Sequence, residues 1–276
     1  MARWLALLSL LGACGGAAAG MLDPAPTGGP ESPVAATATT AAGLTALEPG
    51  ETMQFEVRIA GVLAGEAAFS TGEISVVDGR RTISVSSRVA TAGAFALIKN
   101  IRDEATALID LDTMAPISTT GDVRFGAKAA HHEATFGDGK ATVQHTPAGQ
   151  PPRVINYDFK GETVHDFHSA MAAMRVWPAE LGTGRVMWVL GGRRLWRVEI
   201  NVTGRELIGT ALGNQAALRF DGISARARPD MTVDTALKVR AFSVWVSDDA
   251  DRVPLKLIAT TEVGDVTMDL IAFQRR

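Results

Sequence analysis

A period of two in hydrophobicity organises most of the chain. In 52–59, Met53, Phe55, Val57 and Ile59 face one way while Gln54, Glu56 and Arg58 face the other, as in a half-buried β-strand. The same alternation marks the last quarter as a three-strand meander. Its strands are 239–247, then 253–259 after a charged turn at 248–252, then the stretch with Val266, Met268 and Leu270 after a turn at 263–265. Between these ends, strands are expected at 66–77 and 80–89 around Asp78-Gly79, at 101–109, at 117–125, at 129–136 and 141–146 around Asp138-Gly139, and at 153–159. Asp-Gly favours the positive φ angles of a type I′ hairpin turn. Further strands are expected at 185–190 and 194–200 around Gly191-Gly192, at 202–212 and at 215–220, with 225–232 as a loop. Residues 60–66 read as a turn whose Gly61 and Gly65 permit positive φ or a bulge. The pattern predicts an all-β chain: a single antiparallel curled sheet, barrel-like or sandwich-like, of about 10–14 strands.

Two stretches depart from this pattern. Residues 93–99 (GAFALIK) fit one helical turn across an end of the sheet. Residues 165–176 place Phe167, Ala170, Met171 and Met174 at three-and-four spacing, with Asp166 as N-cap and Pro178 beyond the end. This short amphipathic helix is expected to pack on the sheet, with Phe167, Met171 and Met174 on one face and His168 and Arg175 toward the other.

Composition narrows the function classes. Hydrophobic residues make up 46% of the 276, enough for a sizeable core. A net charge of −3, without any basic run interleaved with aromatics, points away from nucleic acid. Cys14 is the single cysteine, which excludes an intrachain disulfide and a thiolate metal cage.

The N-terminus reads as an address. Met1-Ala2-Arg3, the apolar run 4–11 and Leu11-Gly12-Ala13-Cys14 follow the order of a secretory signal. Its end resembles a bacterial lipobox, in which the cysteine takes a palmitate-type lipid anchor and becomes the first residue. The other reading is an ordinary signal cut after 17–19, which leaves a free periplasmic protein. The expected division is 1–13 signal peptide, 14–49 lipidated cysteine and Ala/Thr/Pro/Gly tether, and 50–276 antiparallel β domain. The tether has no apolar periodicity and is expected to be disordered. Gly15, in place of the aspartate that holds enteric lipoproteins at the inner membrane, favours the outer membrane.

Candidate chemistry is sparse. His165-x-x-His168 beside Asp166 puts two imidazoles on one helical face, and His131, His132 and Glu133 form a second group. Neither has fixed metal-ligand spacing, and His132-Glu133 lacks the second histidine of a zincin motif. A solvated strand and a polar helix face account for them, so neither metal nor cofactor is expected. Asp248, Asp249 and Asp251 lack the glycine and closing glutamate of a calcium loop and are expected to hydrogen-bond their own turn. Pro254 has no donor and is expected at a sheet edge or outside the ladder. Arg193, Arg194 and Arg197 lie near Trp188 and Trp196 in sequence, an arrangement able to hold an acidic group.

Several of these residues together resemble a bacterial envelope family known only as domain of unknown function 3108. They are the 60–66 turn with Gly61 and Gly65, His165-Asp166-Phe167 leading to Met174-Arg175, and Val202-x-Gly204-x-Glu206. A glycine before a strand at Gly182 or Gly184, Trp245-Val246-Ser247-Asp248-Asp249, Arg252-Val253-Pro254-Leu255-Lys256, Gly264-Asp265-Val266 and Met268-Asp269-Leu270 complete the set. The resemblance implies an exported, mostly antiparallel β domain and assigns no catalytic residue. The expected function is that of a non-enzymatic exported lipoprotein, held at a membrane by its lipid, which binds a hydrophobic ligand or an envelope protein. Phe167, Met171, Met174, Trp188 and Trp196 are the candidate ligand-facing residues. Two alternatives stand beside it: an assembly factor without a small ligand, and a hydrolase using His165 and His168.

Overall fold

The period-two segments fold into one sheet of 15 strands. The computed structural model describes residues 47–98, 100–178, 180–261 and 264–275; the expected signal peptide, Cys14 and the tether up to residue 46 lie outside them. In the first half come β1 (Thr52–Ile59), β2 (Val62–Val77), β3 (Arg80–Thr91), helix α1 (Gly93–Ile98) and β4 (Ile101–Asp110). β5 (Pro116–Phe125), β6 (Lys128–Gly137), β7 (Lys140–Pro147) and β8 (Arg153–Asp158) follow. The second half holds β9 (Val164–His165), helix α2 (Phe167–Arg175), β10 (Gly184–Gly191), β11 (Arg194–Thr210) and β12 (Gly213–Ala227). β13 (Arg240–Ser247), β14 (Pro254–Thr261) and β15 (Gly264–Gln274) close the chain.

Spatially the strands run from β8 down to β1, then from β15 down to β9. The first and last strands therefore pair in the middle of the sheet, and β8 and β9, joined by five residues, are its two edges. Among the described residues only β9 and β10 pair in parallel. The sheet curls until its edges face each other without a ladder between them. An apolar cluster bridges the gap: Tyr157 of β8 and Phe159 just beyond it pack with Val164, Leu190, Leu195 and Ala227, and the Tyr157 hydroxyl donates to the Arg193 carbonyl at 2.8 Å.

Turn chemistry sets the register. Ala60-Gly61, Asp78-Gly79 and Asp138-Gly139 all take positive φ at both positions, as type I′ turns require. The first of these is tighter than the expected 60–66 turn. Gly65 lies inside β2, where a Cβ would meet the Ala90 carbonyl oxygen at 2.3 Å, so its role is close strand approach.

Two other expectations change. The strands read at 194–200 and 202–212 are one 17-residue strand, β11, whose alternation is broken by a bulge between Val202 and Gly204. Pro254 opens β14, an interior strand rather than an edge, and the register shift between Trp245 and Val246 relieves its missing donor.

The core lies inside the curl. Helix α2 is enclosed by the sheet, and Ala170, Ala173 and Met174 pack with Val189, Val198, Ile200, Leu218 and Val244. A second cluster fills the space beneath β1, β14 and β15 around Phe55, Val57, Met268 and Leu270.

Candidate functional site

Helix α2 forms because its first turn is closed by its own side chains. One Asp166 carboxylate oxygen accepts from the Ser169 amide at 2.9 Å and the other from the His168 amide at 3.1 Å, while the Ser169 hydroxyl accepts from the Asp166 amide at 3.0 Å. This reciprocal box satisfies donors that a helix start otherwise leaves orphaned. The alanines at 170, 172 and 173 favour helix and let it sit close to the strands.

The polar face expected for the helix is present, and it is buried. His168 is 5% exposed and Arg175 1%. His168 Nδ1 lies 2.8 Å from Asp166 Oδ2, and Nε2 lies 2.8 Å from Ser87 Oγ on β3. A carboxylate can only accept, so Nδ1 donates, and in the neutral ring Nε2 accepts from the Ser87 hydroxyl. Burial alone would raise the Asp166 carboxyl, but the His168 bond and charge and the Ser169 bonds outweigh it and hold the group below its usual range. Asp103 on β4 feels the His168 charge as well. There burial dominates and pushes the carboxyl up to about 6. His165 is also enclosed, and burial lowers its pKa against the pull of Asp166.

The order Ser87–His168–Asp166 is that of a hydrolase relay, but its setting is structural. Ser87 lies inside a strand paired on both sides, opposite Phe69 of β2 and Ala105 of β4. The ladders occupy the neighbouring amides that an oxyanion hole would need. The relay fastens the start of α2 to β3.

Four segments meet at the other end of α2. Arg175 makes a two-pronged bond to Glu51, at 2.7 and 2.8 Å, and also donates to the Asp251 carbonyl at 2.8 and 3.1 Å. Arg275, near the chain end, reaches the same carboxylate at 2.8 Å and Asp251 Oδ1 at 2.7 Å. Burial acts to raise the Glu51 carboxyl, yet the two guanidinium groups hold it below the usual range.

Between α2 and the sheet lie two apolar cavities of about 60 and 70 Å³. Phe167, Met171, Val244 and Leu257 line both. Phe55, Phe69 and Met268 extend the first, and Met174 with Met187 the second, whose polar lining is Arg240, Ser224 and Thr260.

The remaining singled-out residues lie elsewhere. Trp196 is in the core with Arg226 and Arg240 over its ring at 5.6 and 6.0 Å, and Trp188 packs beside the seam. Arg197 pairs with Glu199 instead of gathering with Arg193 and Arg194 on an acidic group. Trp245 donates to Glu206 at 2.6 Å under the Arg219 guanidinium. Asp249 caps its turn as expected, accepting from the Asp251 and Arg252 amides, whereas Asp248 pairs with Arg205 and Arg252.

His131 bridges Asp122 and Glu133, and His132 stacks on His145 with their Nδ1 atoms 3.1 Å apart. Burial, helped by the charges of His145 and Arg193, pushes His132 down to about 4. No group of three or more His, Cys, Asp or Glu among the described residues is placed to hold a metal.

Ser87, Asp103 and Glu51 escaped the sequence reading. Ser87 carries a visible signal, being polar at a position in step with Ile83, Val85 and Val89.

A solved structure shares this fold. A β-barrel-like protein of the DUF1849 family from Brucella abortus superposes with a TM-score of 0.52 at 8% identity, over 82% of this chain and 97% of its own. That likeness is one of fold. A candidate lipoprotein from Parabacteroides distasonis (TM-score 0.38, 7% identity, 82% and 96% covered) is more distant. So is a candidate exported protein with a YmcC-like fold from Bacteroides fragilis (0.37, 7%, 83% and 97%). No curated protein matched the sequence. The family model described as protein of unknown function DUF3108 matches residues 54–271, nearly all of the β domain, and the chain belongs to that family.

Proposed function

We propose that this is an exported, non-enzymatic lipoprotein that takes up a slender apolar ligand between α2 and the inner face of β13–β15. The observation that carries the reading is the pair of apolar cavities meeting at Met171. Each is under half of the roughly 150 Å³ that accommodates benzene, so a fatty-acid chain enters only if Met171 swings aside and joins them. A thioether side chain turns readily and packs against varied apolar shapes. Arg240, on the lining of the second cavity, supplies a cation for a carboxylate head.

The test is Met171→Trp beside the parent protein, in thermal melts and in titration with a fluorescent fatty acid. If the cavities serve a ligand, the indole occupies them, the fold persists and probe uptake is lost. A core without such a role is instead overpacked, destabilised by about 1–3 kcal/mol, and the parent takes up no probe. That second outcome ends the carrier reading.

Attachment has its own test. Cys14→Ser is expected to move the protein from the membrane pellet to the soluble periplasmic fraction. Equal membrane association of both forms contradicts the lipid anchor. The outer membrane is the expected destination, which density-gradient separation of the two membranes checks.

An assembly role without a small ligand is the second reading. It draws on the tip formed by α1, which packs against β2 and leaves Leu97 and Ile98 91% and 81% exposed.

A further inference from the structure

A third cavity, larger than the two beside α2, lies on the opposite face of the sheet from the helix. It is an open groove of about 660 Å³ spanning β15, β1, β2, β3, β4 and β5. The outer face of a curled sheet is normally convex. Here short side chains, Ala68, Ser70 and Ser86, make the floor, and Gln54, Arg88 and Glu104 stand higher around it. Bulges beside it, at Gln54/Phe55, Thr71/Ile74 and Leu108/Ile109, bend three of the strand pairs.

Register turns the groove into a ladder of hydrogen-bonding groups. Gln274 faces Thr52, Thr52 faces Ser70, Ser70 faces Ser86, Ser86 faces Thr106, and Thr106 faces Thr120. Every rung carries a hydroxyl or an amide. With strands about 4.8 Å apart, the row runs for about 24 Å. Ser86 and Thr106 bond each other at 2.9 Å. Among the described residues no side-chain hydrogen bond engages Thr52, Ser70, Thr120 or Gln274, so these groups are available to a ligand.

The lining selects a chemistry by elimination. Its one cation, Arg88, lies 3.5 Å from Glu104, and Asp122 adds a further negative charge, which disfavours phosphates and anionic polymers. About half of the lining is polar, so a wholly apolar ligand would cover hydroxyls without giving them partners. All six strands are interior, so a peptide cannot add as a further strand. What remains is a neutral molecule with many hydroxyls, each both donor and acceptor like the serines and threonines it would meet. The rung spacing is close to the length of one pyranose unit, so successive sugars can meet successive strands. We propose that this groove binds a neutral oligosaccharide chain laid across the strands, at a site separate from the apolar cavities around α2.

The experiment is amide NMR of the full chain titrated with chitotetraose, with maltohexaose, and with an anionic heparin tetrasaccharide. At millimolar concentration, one of the two neutral sugars is expected to shift the amides of Ser70, Ser86, Thr106 and Thr120, and the heparin fragment is expected to leave them unmoved. Ser86→Arg, which fills the floor, and Thr120→Lys, on an exposed rung, are each expected to weaken the sugar by about tenfold or more. Thr120→Lys serves as the check should Ser86→Arg disturb the fold. Absence of shifts with both neutral sugars, shifts mapping outside the groove, or unchanged affinity in a folded Thr120→Lys protein overturns the proposal. So does binding of the heparin fragment alone.

Discussion

Replacing Glu51 with alanine is expected to destabilise the protein by about 3–5 kcal/mol, the cost of leaving one partner of a buried ion pair uncompensated. Glu51 is fully buried and Arg175 is 1% exposed, so water cannot substitute for the lost carboxylate. Arg175 would keep its bonds to the Asp251 carbonyl, but a carbonyl leaves the guanidinium charge unbalanced. The reverse change, Arg175→Ala, is expected to cost less, because Arg275 still reaches the Glu51 carboxylate from the solvent side. Replacing both members by apolar residues of similar volume, Glu51→Leu with Arg175→Met, is expected to recover most of the loss. Urea unfolding of the four proteins measures this directly. A Glu51→Ala protein within about 1 kcal/mol of the parent would place the pair with ordinary surface ion pairs and contradict its assignment as a lock.

The second large effect is on pH dependence. Asp103 titrates near 6 in the fold against 3.8 for an ordinary aspartate, because burial penalises its charged form more than the His168 charge relieves it. The raised pKa fixes the sign. Below about pH 4 the carboxyl is protonated in both states and nothing is lost. Between about pH 4 and 6 the unfolded chain ionises this carboxyl while the folded chain holds it protonated, so stability falls by about 3 kcal/mol and then levels off. Asp103→Asn keeps the shape and removes the ionisation. It is therefore expected to match the parent at pH 4 and exceed it by about 2–3 kcal/mol at pH 8. Comparing the two proteins at each pH cancels the other titrating groups, among them Glu51 and Asp166, which lose stability only as pH falls through their depressed values. A constant difference between pH 4 and pH 8 would show that the Asp103 charge is already solvated.

The sheet is largely legible in the sequence because its strands bury one face, and a half-buried strand must alternate. The Asp-Gly turns and the helix with its Asp166 cap are legible for the same local reason. Legibility ends where a bulge shifts the alternation, as at Val202–Gly204, and where the information is pairwise. Neither Glu51 nor Arg175 announces the other across 124 positions of chain. His168 reads as a surface histidine until Ser87 is seen beneath it. The outer groove is invisible to pattern because serine and threonine on a solvent face are unremarkable singly; only register aligns them into a row. Met171 shows the converse. Its place on the apolar face of α2 is readable, but the empty volume on each side of it exists only once the sheet has closed around the helix.

The placement of the first and last strands bears on how the sheet assembles. Because β1 and β15 are neighbours at the centre of the sheet, the pairing that unites the halves joins the most distant parts of the sequence. That pairing carries the largest loop-closure entropy in the molecule and gives it a high contact order. Each half can zip outward from its own hairpins, but the central seam must wait for both. The sheet edges, by contrast, are separated only by the short connection containing Lys160 and Gly161. A chain cut there and spliced from Arg275 to Glu51 would have every ladder between sequence neighbours, with the same native contacts but an ordering that needs no late long-range search. The natural order leaves two half-sheets, each with an unpaired strand, exposed to one another and to other copies until the last step. Until that step, those unpaired strands are the part of the folding chain most open to pairing with another copy.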